Sequence, residues 1–324
     1  MGDSTRARGT AFGLAIDADF AIPGLTPGGA GSLPGTTLTL GDEADLHRAW
    51  RAAETNARRV SADLFRDGEP GRTIDAHPEM GYRLFARYFG SCLVSHDGSG
   101  MLCVPAPVRS WRWQRFLVGR CLPLAALLRG YEVLHAGAVQ IGDEVVAIIG
   151  PSGAGKTSLT LHLVLQGATF FTDDALAIGT GDDVLLAYPG FGVINIRAAE
   201  HERLAEEQRT PLGPLLGQTG RDKLHYGLVP ADAPRPLGAI YFLVPGDSGS
   251  SAAIAAVDAP DPRRLLTSTF IHETRPPAQL VGLLDVCARL SATVPMFDVP
   301  LREDEPAATL AARLGTHAGI GAQV

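Results

Sequence analysis

The chain has 324 residues, 45% hydrophobic and 19% charged, a balance that supports a sizeable core in one large domain or two ordinary ones. Its formal net charge of −7 and the lack of a dense Lys/Arg run argue against a nucleic-acid groove and an anionic membrane surface. Cys92, Cys103, Cys121 and Cys287 are scattered without C-x-x-C spacing, which argues against a zinc cage or disulfide framework and fits buried thiols in a reducing cytoplasm.

The opening "MGDSTRARGTAFG" lacks the apolar stretch of a secretory signal. From Ala11 to Pro105, short apolar runs such as "TTLTL", "YRLFARYF" and "MLCV" alternate with Gly/Pro/Asp turns, the texture of strands and hairpins. "DEADLHRAWRAAET" interrupts them as a helix with acidic residues at its start. Residues 1–108 are therefore expected to form a small strand-rich accessory or substrate-recognition domain. "RSWRWQRFLVGRCLPLAALLRG" follows as a helix, but Arg115, Arg120 and Pro123 deny it the ~20 uninterrupted apolar residues of a membrane span. Its Trp111 and Trp113 point to different faces and are read as packing between domains.

Residues 109–324 read as an α/β domain. "LHAGAVQI" and "DEVVAIIG" are strands joined by a Gly-Asp turn, and "KTSLTLHLVLQG" is a helix with a Gly stop. "ATFFTDD", "DDVLLAYPG" and "GVINI" continue the strands, "RAAEHERLAEEQ" is a helix, and "TPLGPLLGQTGRDKL" is a Gly/Pro-rich loop of the kind that moves or binds. "LGAIYFLVPG" is almost wholly apolar and predicts a central strand; helix, helix, "PMFDVP" strand and helix complete the chain.

Gly150, Gly155, Lys156 and Thr157 fit G-x-x-x-x-G-K-[ST] between an apolar strand and a helix, the context that a phosphate-binding loop requires. Gly150, Ser152, Gly153, Ala154, Gly155, Lys156, Thr157 and Ser158 would cradle a triphosphate, with Lys156 neutralising its oxygens and Thr157 ligating Mg2+. The sequence has no N-K-x-D for guanine, no L-S-G-G-Q of a transporter ATPase and no Arg-rich helicase block. Asp173 and Asp174 instead end the very next strand. Both could reach the phosphates only if the strand stops there, one to bind Mg2+ and the other to accept a hydroxyl proton. Arg197 and Lys223 are candidates to stabilise charge on the transferring phosphoryl group; His162, inside the P-loop helix, reads as packing.

The stretch "LHAGAVQIGDEVVAIIGPSGAGKTSLTLHLVLQGATFFTDDALAI" resembles the HPr kinase/phosphorylase family, whose catalytic domain is similar to phosphoenolpyruvate carboxykinases. His135, Gly167, Asp173 and Asp174 match that family's histidine, helix-closing glycine and paired aspartates over about residues 133 to 178. The resemblance implies an HPr kinase-like α/β fold and an ATP- and Mg2+-dependent hydroxyl kinase. It further implies Asp173 as general base, Asp174 as a metal-site carboxylate, and His135 as partner to the pair. "YPGFGVINI" echoes a later family signature, with Ala187 and Pro189 where an acidic and a basic residue are expected, so a second metal contact and a dephosphorylating activity are not implied. "AFGLAIDADFAIPGL" looks more like the peptide-modifying members, including lasso-peptide kinases. The acceptor implied is a peptide or protein hydroxyl, in a cytoplasmic protein that assembles as a homo-oligomer. A small-molecule hydroxyl kinase is a variant of this reading. The alternative from another class is a nucleotide-sensing module in which ATP orders residues 208–223 without phosphotransfer.

Overall fold

The computed structural model describes residues 6–28, 31–65, 68–179, 184–220, 222–246, 253–258, 261–270, 275, 277–302 and 305–320. The chain divides into two compact units, Met1–Tyr131 with Ile271–Ala278 and Glu132–Phe270 with Gln279–Val324. The division falls at 131/132, not at the expected 108/109, because the helical stretch after Ser110 packs with the strands before it. Trp113 lies against Phe20 with ring centroids 5.2 Å apart, and Gln114 Nε2 donates to the Ala21 carbonyl at 2.6 Å. Trp111 and Trp113 are both buried, and the Phe20 contact is packing within the first unit.

The first unit is strand-rich, as its turn pattern predicts. Its strands are β1 (Ala7–Ala11), β2 (Leu14–Ala18), β3 (Gly35–Leu40), β4 (Arg58–Leu64), β5 (Pro70–His77), β6 (Gly81–Ala86), β7 (Gly90–Val94) and β8 (Gly100–Pro105). Among the described residues they form one sheet in the order β1-β2-β3-β8-β7-β6-β5-β4. Period-two burial places Leu14, Ile16 and Ala18 on one face. Helix α1 (Glu43–Trp50) starts where Asp42 and Asp45 cap each other's backbone N–H groups, and it buries Leu46 and Trp50 one turn apart. The next predicted helix is three pieces: α2 (Ser110–Phe116), a π-turn (Leu117–Cys121) and α3 (Leu122–Leu128). All four cysteines are buried free thiols. Among the described residues no helix is long and apolar enough to cross a membrane.

The second unit is built on a mixed sheet. Its strands are β9 (Glu132–Leu134), β10 (Gly137–Ile141), β11 (Glu144–Ile149), β12 (Thr169–Thr172), β13 (Leu176–Ile178) and β14 (Leu186–Tyr188). Helix α4 (Lys156–Leu165) lies between β11 and β12. Beyond them come β15 (Val193–Arg197), α5 (Ala198–Arg203), α6 (Glu206–Arg209), β16 (Leu215–Thr219), β17 (Lys223–Gly227), β18 (Arg235–Pro245) and β19 (Ala255–Ala256). Helices α7 (Pro262–Leu266) and α8 (Pro277–Thr293), strand β20 (Met296–Leu301) and helix α9 (Ala307–Ala318) follow. The apolar β18 is central, parallel to β11 on one side and to β20 on the other. Alternate side chains enter two cores: Ile240 and Phe242 pack with Leu283, Val286 and Leu290 of α8, whereas Tyr241 and Leu243 pack with Leu159 and Leu163 of α4 and Leu310 and Leu314 of α9. Layers of helices thus cover both faces, the arrangement that a nearly continuous apolar strand requires.

Two sequence expectations change. The helix read over 197–208 is α5 and α6, broken where extended Leu204 turns into a core with Leu161, Phe170, Ile194 and Ile196. The expected loop over 210–224 contains strand β16, paired antiparallel with β17, which in turn pairs with β15. Gly220 closes that hairpin at φ +64°. Arg221, beside it, lies outside the described residues. Gly213, Pro214 and Gly217 obscure the alternation that marks a strand, while backbone pairing to β17 supplies what side-chain pattern does not.

Candidate active site

β11 ends at Ile149, and the chain turns through 150–155 into α4. Gly153 and Gly155 hold φ of +84° and +89°, values that L side chains resist, and the space where their Cβ atoms would lie is open. Gly150 is needed for packing instead, since a Cβ there would stand 2.9 Å from that of Leu243. Ser152 and Ala154 complete the turn, with Ala154 N donating to the Pro151 carbonyl at 3.2 Å. α4 then presents its first-turn N–H groups and the positive end of its dipole at the loop mouth, a backbone arrangement suited to phosphate oxygens. The helix seats closely because residue 137 is glycine; a Cβ there would meet Thr160 Oγ1 at 2.5 Å.

Lys156 is buried and folds back over the loop, its Nζ donating to the carbonyls of Gly150 at 2.9 Å and Pro151 at 3.3 Å. Burial lowers its pKa from the ordinary lysine value, opposed by the charges of Asp174 and Asp173. Thr157 Oγ1 donates to Asp173 Oδ1 at 2.9 Å. Ser158 Oγ points elsewhere, donating to Glu200 Oε2 at 2.6 Å, and His162 Nε2 lies 3.6 Å from Glu200 Oε1. His162 thus packs against an acidic side chain of α5 that the sequence reading did not single out.

β12 stops at Thr172, so the paired aspartates fall beyond strand alternation. Asp173 Oδ2 accepts from the backbone N–H of Asn195 at 3.1 Å and from Asn195 Nδ2 at 3.0 Å, so α4, the end of β12 and strand β15 converge on one carboxylate. Burial raises the pKa of Asp173 most and the charge of Asp174 adds to it; together they outweigh hydrogen bonds from Thr157 and Asn195 and carry the group up to about 7. Asp174 adopts φ +70°, a left-handed conformation that costs a non-glycine residue about 1–2 kcal/mol. That turn swings its carboxylate to the same side as that of Asp173, with Oδ2 3.5 Å from Asn195 Nδ2. His135 Nδ1 donates to the Asp174 carbonyl at 2.9 Å, so the histidine touches the pair through the main chain.

Asn195, His225, Thr219 and Glu200 were missed by sequence reasoning. Asn195 Oδ1 faces His225 Nδ1, and His225 Nε2 faces Thr219 Oγ1. A polar amide inside the apolar "GVINI" is the one local signal for any of them. Arg197 and Lys223 are exposed and directly opposite each other across β15 and β17, on the face that carries Asn195 and His225 and one cross-strand pair beyond them. Ile194, Ile196, Leu224 and Tyr226 occupy the opposite, core-packed face.

The residues fit magnesium in the manner of nucleotide sites. The Thr157 hydroxyl and the carboxylates of Asp173 and Asp174 are oxygen donors of the kind that magnesium takes. Among the described residues no group of three or more His, Cys, Asp or Glu is poised to hold a metal.

No protein-family model matches the chain, and no curated protein matches it in sequence. Among solved structures it is similar to the Hpr(Ser) kinase/phosphatase from Coxiella burnetii, at 12% identity and a TM-score of 0.30, over 58% of this chain and 96% of that one. At that distance, a functional reading has to rest on the site itself.

Proposed function

We propose that the second unit is a phosphotransferase that holds ATP with Mg2+ on the loop at 150–155 and passes the γ-phosphoryl group to a hydroxyl, foremost a Ser-type hydroxyl on a peptide. The observation that carries this reading is Asp173: a half-buried carboxylate, raised to about 7, lying 2.9 Å from the hydroxyl that opens the P-loop helix. A purely structural carboxylate gains nothing from such a setting, whereas a proton acceptor is matched to its task when its pKa lies near ambient pH.

When bound, Mg2+ would neutralise charge on the β- and γ-oxygens. Lys156 would exchange its two loop carbonyls for phosphate oxygens, and the first-turn N–H groups of α4 would orient them. Asp173 would take the acceptor hydroxyl's proton, Thr157 and Asp174 would hold the metal, and His135 would fix the strained Asp174 turn. Arg197 and Lys223 would offset charge on the transferring group. The contact between Thr157 and Asp173 favours a second assignment, with Asp173 on the metal side and Asp174 as base. The acceptor class, a lasso or other modified peptide, follows from the sequence resemblance alone.

The test incubates the protein with Mg2+ and radiolabelled ATP against seryl peptides and small alcohols. Label should pass to a hydroxyl in wild type and be lost in Asp173→Asn, with ATP binding retained. Tight ATP binding without transfer to any acceptor would favour the nucleotide-sensing alternative and end the kinase reading.

A further inference from the structure

A directed hydrogen-bond chain runs from the candidate base into the three-stranded sheet β15-β17-β16. Asn195 supplies both its backbone N–H and its Nδ2 to Asp173 Oδ2, its Oδ1 faces His225 Nδ1, and His225 Nε2 faces Thr219 Oγ1. Each strand contributes one member, and Asn195 and His225 are direct cross-strand partners. His225 is fully buried.

Chemistry fixes the direction of this chain. In the ionised form in which Asp173 could act as a base, its carboxylate only accepts hydrogen bonds, so in that form the amide nitrogen of Asn195 faces Asp173 and its oxygen faces the imidazole. A neutral His225 then carries its proton on Nδ1 and leaves Nε2 as an acceptor for the Thr219 hydroxyl. Rotating the Asn195 amide by half a turn would set its oxygen 3.0 Å from Asp173 Oδ2 and its N–H group against an N–H group. The terminal torsion of an asparagine has broad wells and does not enforce the choice by itself. His225 can enforce it, because its own ring is held from the far side by Thr219.

We propose that His225 is a positioning residue for phosphoryl transfer, which locks the Asn195 amide and through it holds the Asp173 carboxylate against Thr157. The proposal rests on the phosphotransferase reading. It distinguishes His225 from an ordinary buried histidine, whose loss would lower stability and leave turnover per folded molecule unchanged. Orientation errors of the order of an ångström at a reacting group are costly, so the effect falls on kcat and spares ATP affinity.

Two measurements test it. Nitrogen-15 histidine spectra of the full chain at about pH 8.5, where Asp173 is ionised, without nucleotide or metal and with His225 assigned from its loss in a variant, should show a protonated Nδ1 and an unprotonated Nε2. That is the less common tautomer in water. Phosphate release from Mg2+ and ATP, with water as the acceptor, should fall about tenfold or more in kcat for His225→Leu, with the KM for ATP within about twofold. His225→Asn places an amide N–H near the position of Nδ1–H and should restore most of the rate. The proposal is overturned if the proton sits on Nε2, if the Leu and Asn variants share one kcat, or if only KM moves. Should His225→Leu fail to fold, the tautomer and the Asn variant still decide. A wild type that binds ATP and turns over neither water nor any hydroxyl removes the phosphotransferase reading and this proposal together; the other outcomes strike the proposal alone.

Discussion

Asp173→Asn should stabilise the protein while disabling it. The substitution keeps the shape of the group at the centre of the site and removes its charge. Burial, with Asp174 as the next contributor, moves this carboxyl from an ordinary 3.8 to about 7. That difference corresponds to about 4 kcal/mol of stability lost when the group is ionised. Asparagine regains this but gives up part of the local bonding. Its Oδ1 still accepts from Thr157, whereas its Nδ2 faces the two donors of Asn195, at a cost of about 1–3 kcal/mol. The net gain near neutrality and above is about 1–3 kcal/mol, or a rise in Tm of about 2–10 °C for a unit of this size. The sign with pH follows from the raised native pKa. The folded state binds this proton more tightly than the unfolded state, so wild type keeps its full stability below about pH 4 and loses it as pH climbs to about 7. The advantage of the variant should therefore open across that window and stay level above it. Thermal unfolding in a metal chelator, without nucleotide, at about pH 5 and about pH 8 measures the gap. A variant less stable than wild type at the higher pH, or a gap equal at both, would refute the reasoning.

Further outcomes follow from the same geometry. Lys156→Ala should reduce kcat/KM for ATP by about a hundredfold or more, since the loop loses its side-chain cation; steady-state phosphate release reads this. Gly155→Ala should cost about 1–2 kcal/mol in Tm-derived stability and weaken nucleotide binding, because the residue sits at φ +89° at the head of α4. Asp174→Asn, compared with Asp173→Asn across a Mg2+ titration, separates the two aspartates. The metal-side residue should shift the Mg2+ midpoint by about tenfold or more, while the base should lower the plateau rate by about 10²–10⁴ and leave the midpoint in place. Arg197→Ala and Lys223→Ala are exposed changes expected to stay within about 0.5 kcal/mol in stability, so a fall in kcat in either would assign it to the reaction.

How much of this site the sequence discloses depends on whether its parts are joined by the local chain or by strand pairing. Gly150 to Ser158 are contiguous, and Gly150, Gly155, Lys156 and Thr157 stand at the fixed positions of the loop, so spacing alone is informative. Asp173 and Asp174 are adjacent at a strand end, which the apolar run "ATFF" marks. The first unit reaches Tyr131, beyond the expected 108, because what ties α2 to it is contact with Phe20 and Ala21, about ninety residues earlier in the chain. The Asp173-Asn195-His225-Thr219 connection is of this second kind. It exists only once β15, β17 and β16 have paired, and the glycines and proline of 213–220 hide the strand that supplies Thr219. Register is then as decisive as residue identity. Side chains alternate faces along a strand, so slipping β17 by one residue against β15 would place Leu224 or Tyr226 opposite Asn195 and send His225 to the core face. The packing of Ile194, Ile196, Leu224 and Tyr226 against Leu161 and Phe170 opposes that slip. The hydrophobic core under the small sheet therefore has a role in aligning the site: it holds the register that brings an amide, an imidazole and a hydroxyl into line behind one carboxylate.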